Sequence, residues 1–163
     1  MEQCFGVQSR KFSCFMFHAS CFMKRIVIYT DGGSRGNPGK AAIGVVFCDQ
    51  DGSVTKKFGE YLGDGLTNNE AEYRAVIFAF KKVRELFGTE SLAEIEVEIR
   101  SDSQLLVNQM MGRFKIKNEN IRMFVVNIQR LMEGFAKVSY VAIPREQNKE
   151  ADKMVNEALD AQG

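Results

Sequence analysis

Along the chain, short apolar runs alternate with longer segments of helical period. Residues 26–30 (IVIYT) and 42–47 (AIGVVF) are β-branched, apolar and flanked by glycine or acid, which predicts buried strands. DQDGS at 49–53 is a turn signal, and VTKKFGEYL (54–62) after it predicts a third strand closing a meander. In EIEVEIRS (94–101), Ile95, Val97 and Ile99 alternate with Glu94, Glu96 and Glu98, the pattern of a half-exposed strand. KVSYVAI (137–143) predicts a fifth strand.

The remaining segments repeat near 3.6. After Asn68 and Asn69, a stripe of Val76, Phe80, Val83 and Phe87 closes at Gly88. SQLLVNQMMG predicts a short helix ending at Gly112, and NENIRMFVVNIQRLMEG places Ile121, Phe124, Val125, Ile128 and Leu131 on one face before stopping at Gly134. A last helix from about Asn148 buries Ala151, Val155, Ala158 and Leu159. The order βββαβααβα predicts an α/β chain, a five-stranded mixed sheet with helices on both faces.

Composition adds bounds. At 163 residues, 45% hydrophobic and 26% charged, the chain suits one domain with a core that needs no metal or disulfide staple. A net charge of +1 announces no long-range basic field, so any nucleic-acid partner must be met by local patches. Cys4, Cys14 and Cys21 precede residue 23 and only Cys48 follows, with no metal-ligand spacing, which suits a reducing, cytoplasmic setting. No apolar run approaches the ~20 residues of a membrane span. Nothing demands a partner chain, and a monomer is expected.

Residues 1–22 differ in kind. They hold the sole histidine, His18, and five phenylalanines without clear period. Arg10 and Lys11 before FSCFMFHASCF mimic a signal peptide, yet MKRIVIYT follows at once and leaves almost no room for a cleavage region. The expectation is a disordered extension or a wrongly chosen start, with the folded domain over 23–163.

Candidate chemistry begins at TDGGSRGNPGK. A phosphate-cradling P-loop fails here, because Ser34 stands where the first glycine is needed and Ala41 where the metal-binding hydroxyl is needed. A dinucleotide fingerprint fails because a strand, not a helix, follows the glycines. The segment therefore reads as a loop joining two strands, with Asp31 at a strand end. Asp102 ends the alternating strand in RSDSQ, Glu72 opens a helix in TNNEAEY, and Asp152 opens the last helix in NKEADKMV. Strand ends and helix starts of an open α/β sheet converge on one edge, so the four carboxylates can share a site. Their mutual repulsion calls for cations, and oxygen-only ligands suit Mg²⁺ or Mn²⁺. Bland roles stand beside each: Asp31 as a turn former, Glu72 as the closing acid of a capping box three residues after Asn69, Asp152 as a dipole partner.

TDGG…GNPG, TNNEAEY, SDSQ and the late Asp of KEADKMV, in this order over about residues 24–160, resemble ribonuclease H of type 1. The resemblance implies a five-stranded sheet with first and fourth strands adjacent. It implies two Mg²⁺ ions, replaceable by Mn²⁺, held by Asp31, Glu72, Asp102 and Asp152. The implied reaction is hydrolysis of the RNA strand of an RNA/DNA hybrid, leaving 5′-phosphate and 3′-hydroxyl ends. Of the two acids in NNEAEY, the resemblance selects Glu72, directly before the tyrosine, over Glu70. Asn37, Asn68, Asn69 and Gln104 match positions that contact substrate sugars and base edges, and Thr67 one that contacts a DNA-strand phosphate. Turn duty for Asn37 and cap duty for Asn69 remain open.

Two departures matter. Many members carry a histidine shortly before the last aspartate; here Arg145 occupies a comparable loop after Pro144, as in some archaeal and bacterial members, where it can engage a phosphate but not shuttle a proton. Several members insert a basic, tryptophan-bearing protrusion; this chain has no tryptophan and only Arg113, Lys115, Lys117 and Arg122 around Phe114. Weaker hybrid binding is expected, and double-stranded RNA is an additional candidate substrate. A module that binds hybrid without cutting, and another nuclease of the same superfamily, are the competing readings.

Overall fold

The computed structural model describes residues 23–163; the expectation for residues 1–22 lies outside them. The strands are β1 (Lys24–Gly36), β2 (Gly39–Cys48), β3 (Val54–Leu66), β4 (Ile95–Ser101) and β5 (Lys137–Ala142). They form one sheet in the order β3-β2-β1-β4-β5. β1, β2 and β3 are antiparallel neighbours, while β1–β4 and β4–β5 are parallel. The helices are α1 (Asn68–Phe87), α2 (Gln104–Met110), α3 (Glu119–Met132) and α4 (Lys149–Asp160).

Both sheet faces are covered, as the pattern predicts. Ile26, Ile28, Ile43 and Val45 pack against α1, α2 and α3 through Tyr73, Phe80, Leu106 and Ile128. The alternate positions Val27, Val46 and Ala42 meet α4 at Ala151, Val155 and Leu159. This two-sided burial is why the central strands read as continuous apolar runs.

Two expectations change in detail. The glycine segment is not a loop. β1 runs on to Gly36 and β2 begins at Gly39, with pairs Gly32↔Ile43, Ser34↔Ala41 and Gly36↔Gly39, so the glycines form the end of a hairpin. Glycine carries no strand signal of its own, but cross-strand pairing overrides that weak local preference. β4 is also less exposed than its alternation suggests. Glu98 is only 8% exposed, because β4 lies between β1 and β5 and both Arg25 and Arg100 close on its carboxylate. Burial pushes that carboxyl up, but the hydrogen bonds from Arg100 and Arg25 outweigh it and hold the group below its ordinary range.

α4 lies unusually close to the sheet. A Cβ on Gly44 would overlap the carbonyl of Ala151, the residue before Asp152. Only glycine at 44 lets the helix settle at this depth. No helix among the described residues is long and apolar enough to cross a membrane.

Candidate active site

β1 outruns its parallel neighbour. Pairing with β4 ends at Tyr29↔Arg100, so Asp31 stands just beyond the shared ladder and Asp102 just beyond the end of β4. The two carboxylates thus meet at adjacent C-terminal ends, although Asp31 is inside a strand and not at its terminus. Glu72 comes in from α1. A Cβ on Gly32 would overlap the backbone carbon of Ala71 and nitrogen of Glu72, so glycine at 32 is what allows α1 to reach the cluster. Gly32→Ala is expected to displace α1 and cost about 2 kcal/mol or more, a fall of roughly 5–10 °C in thermal unfolding.

One oxygen from each of Asp31, Glu72 and Asp102 lies within 4.8 Å of the others. That spacing and an all-carboxylate donor set fit a hard divalent cation. Asp152 is not in this trio. It lines the same cavity of about 360 Å³, together with Arg145 and Asn68, and sits 3.8 Å from the largely exposed guanidinium of Arg145. The structure therefore brings three carboxylates into contact distance and leaves the fourth at the rim with the arginine.

The charges interact strongly. Burial, then the charges of Asp102 and Asp152, push Asp31 up to about 7, against opposing pulls from the Gly32 amide and Arg145. Burial, then Asp31 and Asp102, push Glu72 up to about 8, with a smaller opposing hydrogen bond from Ser101. Desolvation leads in both, so the pocket itself disfavours the ionised groups it gathers.

The capping alternative for Glu72 is removed. The N-cap of α1 is Thr67, whose Oγ accepts from the Glu70 amide at 3.1 Å, and Glu70 closes the box by accepting from the Thr67 amide at 2.9 Å. Glu72 thus takes no part in the cap, and Asn69 is not the N-cap but lies inside the helix. Thr67 has its hydroxyl engaged with Glu70. Asn68 accepts from the Ser34 amide at 2.7 Å, and Asn37 accepts from the Asn68 amide at 3.1 Å. These bonds pin the hairpin end to the start of α1. Gln104 is the first residue of α2 and is exposed.

Two residues escaped the sequence reading. Ser101, fully buried, donates to Glu72 at 3.4 Å and accepts from the Ser103 amide at 3.1 Å. Asn148, 1% exposed, donates to the Thr30 carbonyl at 3.0 Å and to Asp102 at 3.2 Å. In the sequence, Asn148 marks only the start of a helix; its partners lie 118 and 46 residues away.

A family model described as Reverse transcriptase-like matches residues 29–158. Ribonuclease HI of Halobacterium salinarum is 39% identical over 136 residues, which cover 83% of this chain and 65% of that protein. The chain thus spans about two thirds of the length of that curated relative. The crystal structure of the Halobacterium RNase H1 matches with a TM-score of 0.77 at 37% identity, covering 84% of this chain and 98% of the crystallised one. A compost-derived RNase H1, solved in complex with an RNA/DNA hybrid, matches with a TM-score of 0.79 at 43% identity, covering 84% and 98%. Fold, strand order, carboxylate cluster and these matches agree: the chain belongs to the ribonuclease H type 1 family.

Proposed function

We propose that the chain is a divalent-metal-dependent endoribonuclease that cuts the RNA strand of RNA/DNA hybrids and leaves 5′-phosphate and 3′-hydroxyl ends. The observation that carries this reading is the trio of carboxylates, one buried and two half-buried, within 4.8 Å of one another. Asp31, Glu72 and Asp102 would hold Mg²⁺, or Mn²⁺ in its place, with Asp152 completing the set for a second ion from the rim. Such a pair of ions supplies water activation and charge stabilisation at the leaving 3′ oxygen.

The protein's own residues position the substrate. Because Asn37 and Asn68 spend their side-chain oxygens on backbone amides, their NH₂ groups are the part left to offer. Minor-groove base edges and 2′-hydroxyls present acceptors to such donors, and the 2′-hydroxyl marks one strand as RNA. Asn69 and Gln104, at the starts of α1 and α2, extend the same edge. Thr67 is assigned a DNA-strand phosphate, which requires its hydroxyl to exchange Glu70 for the phosphate. Arg145, 81% exposed beside Asp152, would take the scissile or departing phosphate and return it to solvent. Arg113, Lys115, Lys117 and Arg122 supply a few further phosphate contacts, each of which steepens the salt dependence of binding. We place the enzyme in the cytoplasm as a monomer whose catalytic domain is residues 23–163; the buried free thiol of Cys48 suits a reducing setting.

The test is cleavage of one end-labelled hybrid with Mg²⁺ and with Mn²⁺, beside single-stranded and double-stranded RNA of the same sequence. Metal-dependent cutting of the hybrid's RNA strand, with the stated ends, is expected. Binding without cutting in either metal would make the protein a hybrid-binding module. Equal cutting of single-stranded RNA would make it a nuclease of another kind.

A further inference from the structure

We propose that Asn148 is a positioning residue that holds Asp102, and with it the carboxylate trio, in the geometry a divalent cation needs. The inference rests on the reading of the trio as a cation site.

Asn148 is the residue before α4, where asparagine ordinarily turns its oxygen onto the first-turn amides. Here the side chain makes no cap hydrogen bond. Its NH₂ group is spent instead on the Thr30 carbonyl and on Asp102. Its Oδ1 is left buried with no hydrogen-bond partner among the described residues. The amide orientation is not free. Reversed, the oxygen would face the Thr30 carbonyl and the Asp102 carboxylate, two acceptors with no proton to share. An uncapped helix and an orphaned buried oxygen both cost stability, so stability alone does not account for this residue.

Its connections account for it. Thr30 precedes Asp31 in β1. Asp102 follows β4. The backbone carbonyl of Asn148 accepts from the amide of Asp152 at 3.1 Å, and its own amide donates to the carbonyl of Arg145 at 3.0 Å. One side chain and its backbone therefore tie the middle of β1 and the residue just after β4 to the start of α4, next to or at three of the four acids. The donor is also neutral. Asp31 is likewise held by the Gly32 amide at 3.0 Å and Glu72 by the Ser101 hydroxyl. A lysine or arginine in these places would orient the carboxylates equally well but would compete with the cation for their charge. Neutral donors orient without competing.

Hydrogen-bond partners of metal ligands, when removed, typically cost about 10–100-fold in metal affinity or activity. The experiment uses the full chain as wild type, Asn148→Ala and Asn148→Ser. It measures Mn²⁺ binding by the loss of the free-ion paramagnetic resonance signal, thermal unfolding in chelator, and kcat and KM on labelled hybrid. Serine is a good helix cap but too short to reach Asp102, so Asn148→Ser guards against a variant that fails to fold. The expected result for Asn148→Ser is thermal unfolding in chelator at or above wild type. Alongside it, Mn²⁺ affinity falls about 10–100-fold and kcat at limiting metal falls by a similar factor. KM for hybrid is expected to stay within about twofold, because Asn148 is only 1% exposed. Unchanged Mn²⁺ affinity in a folded variant overturns the proposal, and so does a serine variant that unfolds, since that makes the role structural. Absence of Mn²⁺ binding in the wild type overturns the cation site itself, and is told apart by appearing without any substitution.

Discussion

Asp102→Asn is expected to lower hybrid cleavage by at least ~1,000-fold, about 4 kcal/mol of barrier, while the folded protein becomes more stable in chelator. The substitution keeps the shape of the side chain, and an asparagine at 102 can still present an oxygen to Asn148. What it removes is one charge from a trio whose oxygens lie within 4.8 Å. The Asp102 charge helps push both Asp31 and Glu72 up, so its loss lets both ionise more easily in the folded state. The same change deprives a cation of its ligand at the meeting point of β1 and β4. Paired measurements of kcat and of thermal unfolding in chelator decide the matter. Lost activity with a lower melting temperature would point to a damaged fold, and retained activity would remove Asp102 from the site. Retained hybrid binding by the inactive variant is expected too, because the proposed sugar and phosphate contacts lie on other residues.

Such opposition between stability and activity follows from how the site is assembled, and explains which parts of it were legible in the sequence. Asp31, Glu72, Asp102 and Asp152 stand in local motifs at predicted junctions, so residue identity and order sufficed to propose them. Their unequal placement was not legible. Three acids meet because Gly32 admits α1 to the end of β1, and the fourth lies at the rim because α4 carries it there; both are facts of packing depth between distant segments. Periodicity marked every helix and strand, since amphipathic stripes and alternation report which side faces the core. It shortened β1 and β2 because glycines and Ser34 carry no apolar signal, while the ladder that continues through them is set by the partner strand. The sequence places the cap of α1 two residues late. Thr67 and Glu70 satisfy the same spacing as Asn69 and Glu72, and only the backbone course into the helix distinguishes them. Glu98 looked exposed because alternation tells which face a residue lies on, not what else closes over that face; Arg25, 73 residues away, does so.

Without divalent cation, the melting temperature is expected to fall as pH rises from about 5.5 to about 8, by a few kcal/mol of stability in all, or roughly 5–10 °C. Asp31 titrates near 7 in the folded chain against an ordinary 3.8, and Glu72 near 8 against 4.5. Burial is the main cause in both, followed by neighbouring carboxylates. Between the unfolded and folded values, the folded chain holds more protons than the unfolded one. Stability then declines with pH, since the slope follows the protons bound in the unfolded state minus those bound in the folded state. Below about pH 3 the two groups are protonated in both states and contribute no slope; the loss is complete only about one unit above the folded value of Glu72, near pH 9. Glu98 acts in the opposite sense, but only in acid, because its pKa is lowered. Cys48, pushed up by burial, adds a loss of the same sign only in alkali, which is why the scan stops near pH 8. Asp31→Asn should remove a large part of the slope. Mg²⁺ should flatten it as well, because a cation that binds the ionised carboxylates displaces their protons and stabilises the folded state by mass action. The Mg²⁺-induced rise in melting temperature is therefore expected to be larger at pH 8 than at pH 6. A melting temperature in chelator that stays flat or climbs across this window would show that Asp31 and Glu72 are ionised without strain, and would sink the account of the site as a pocket of carboxylates kept for a cation.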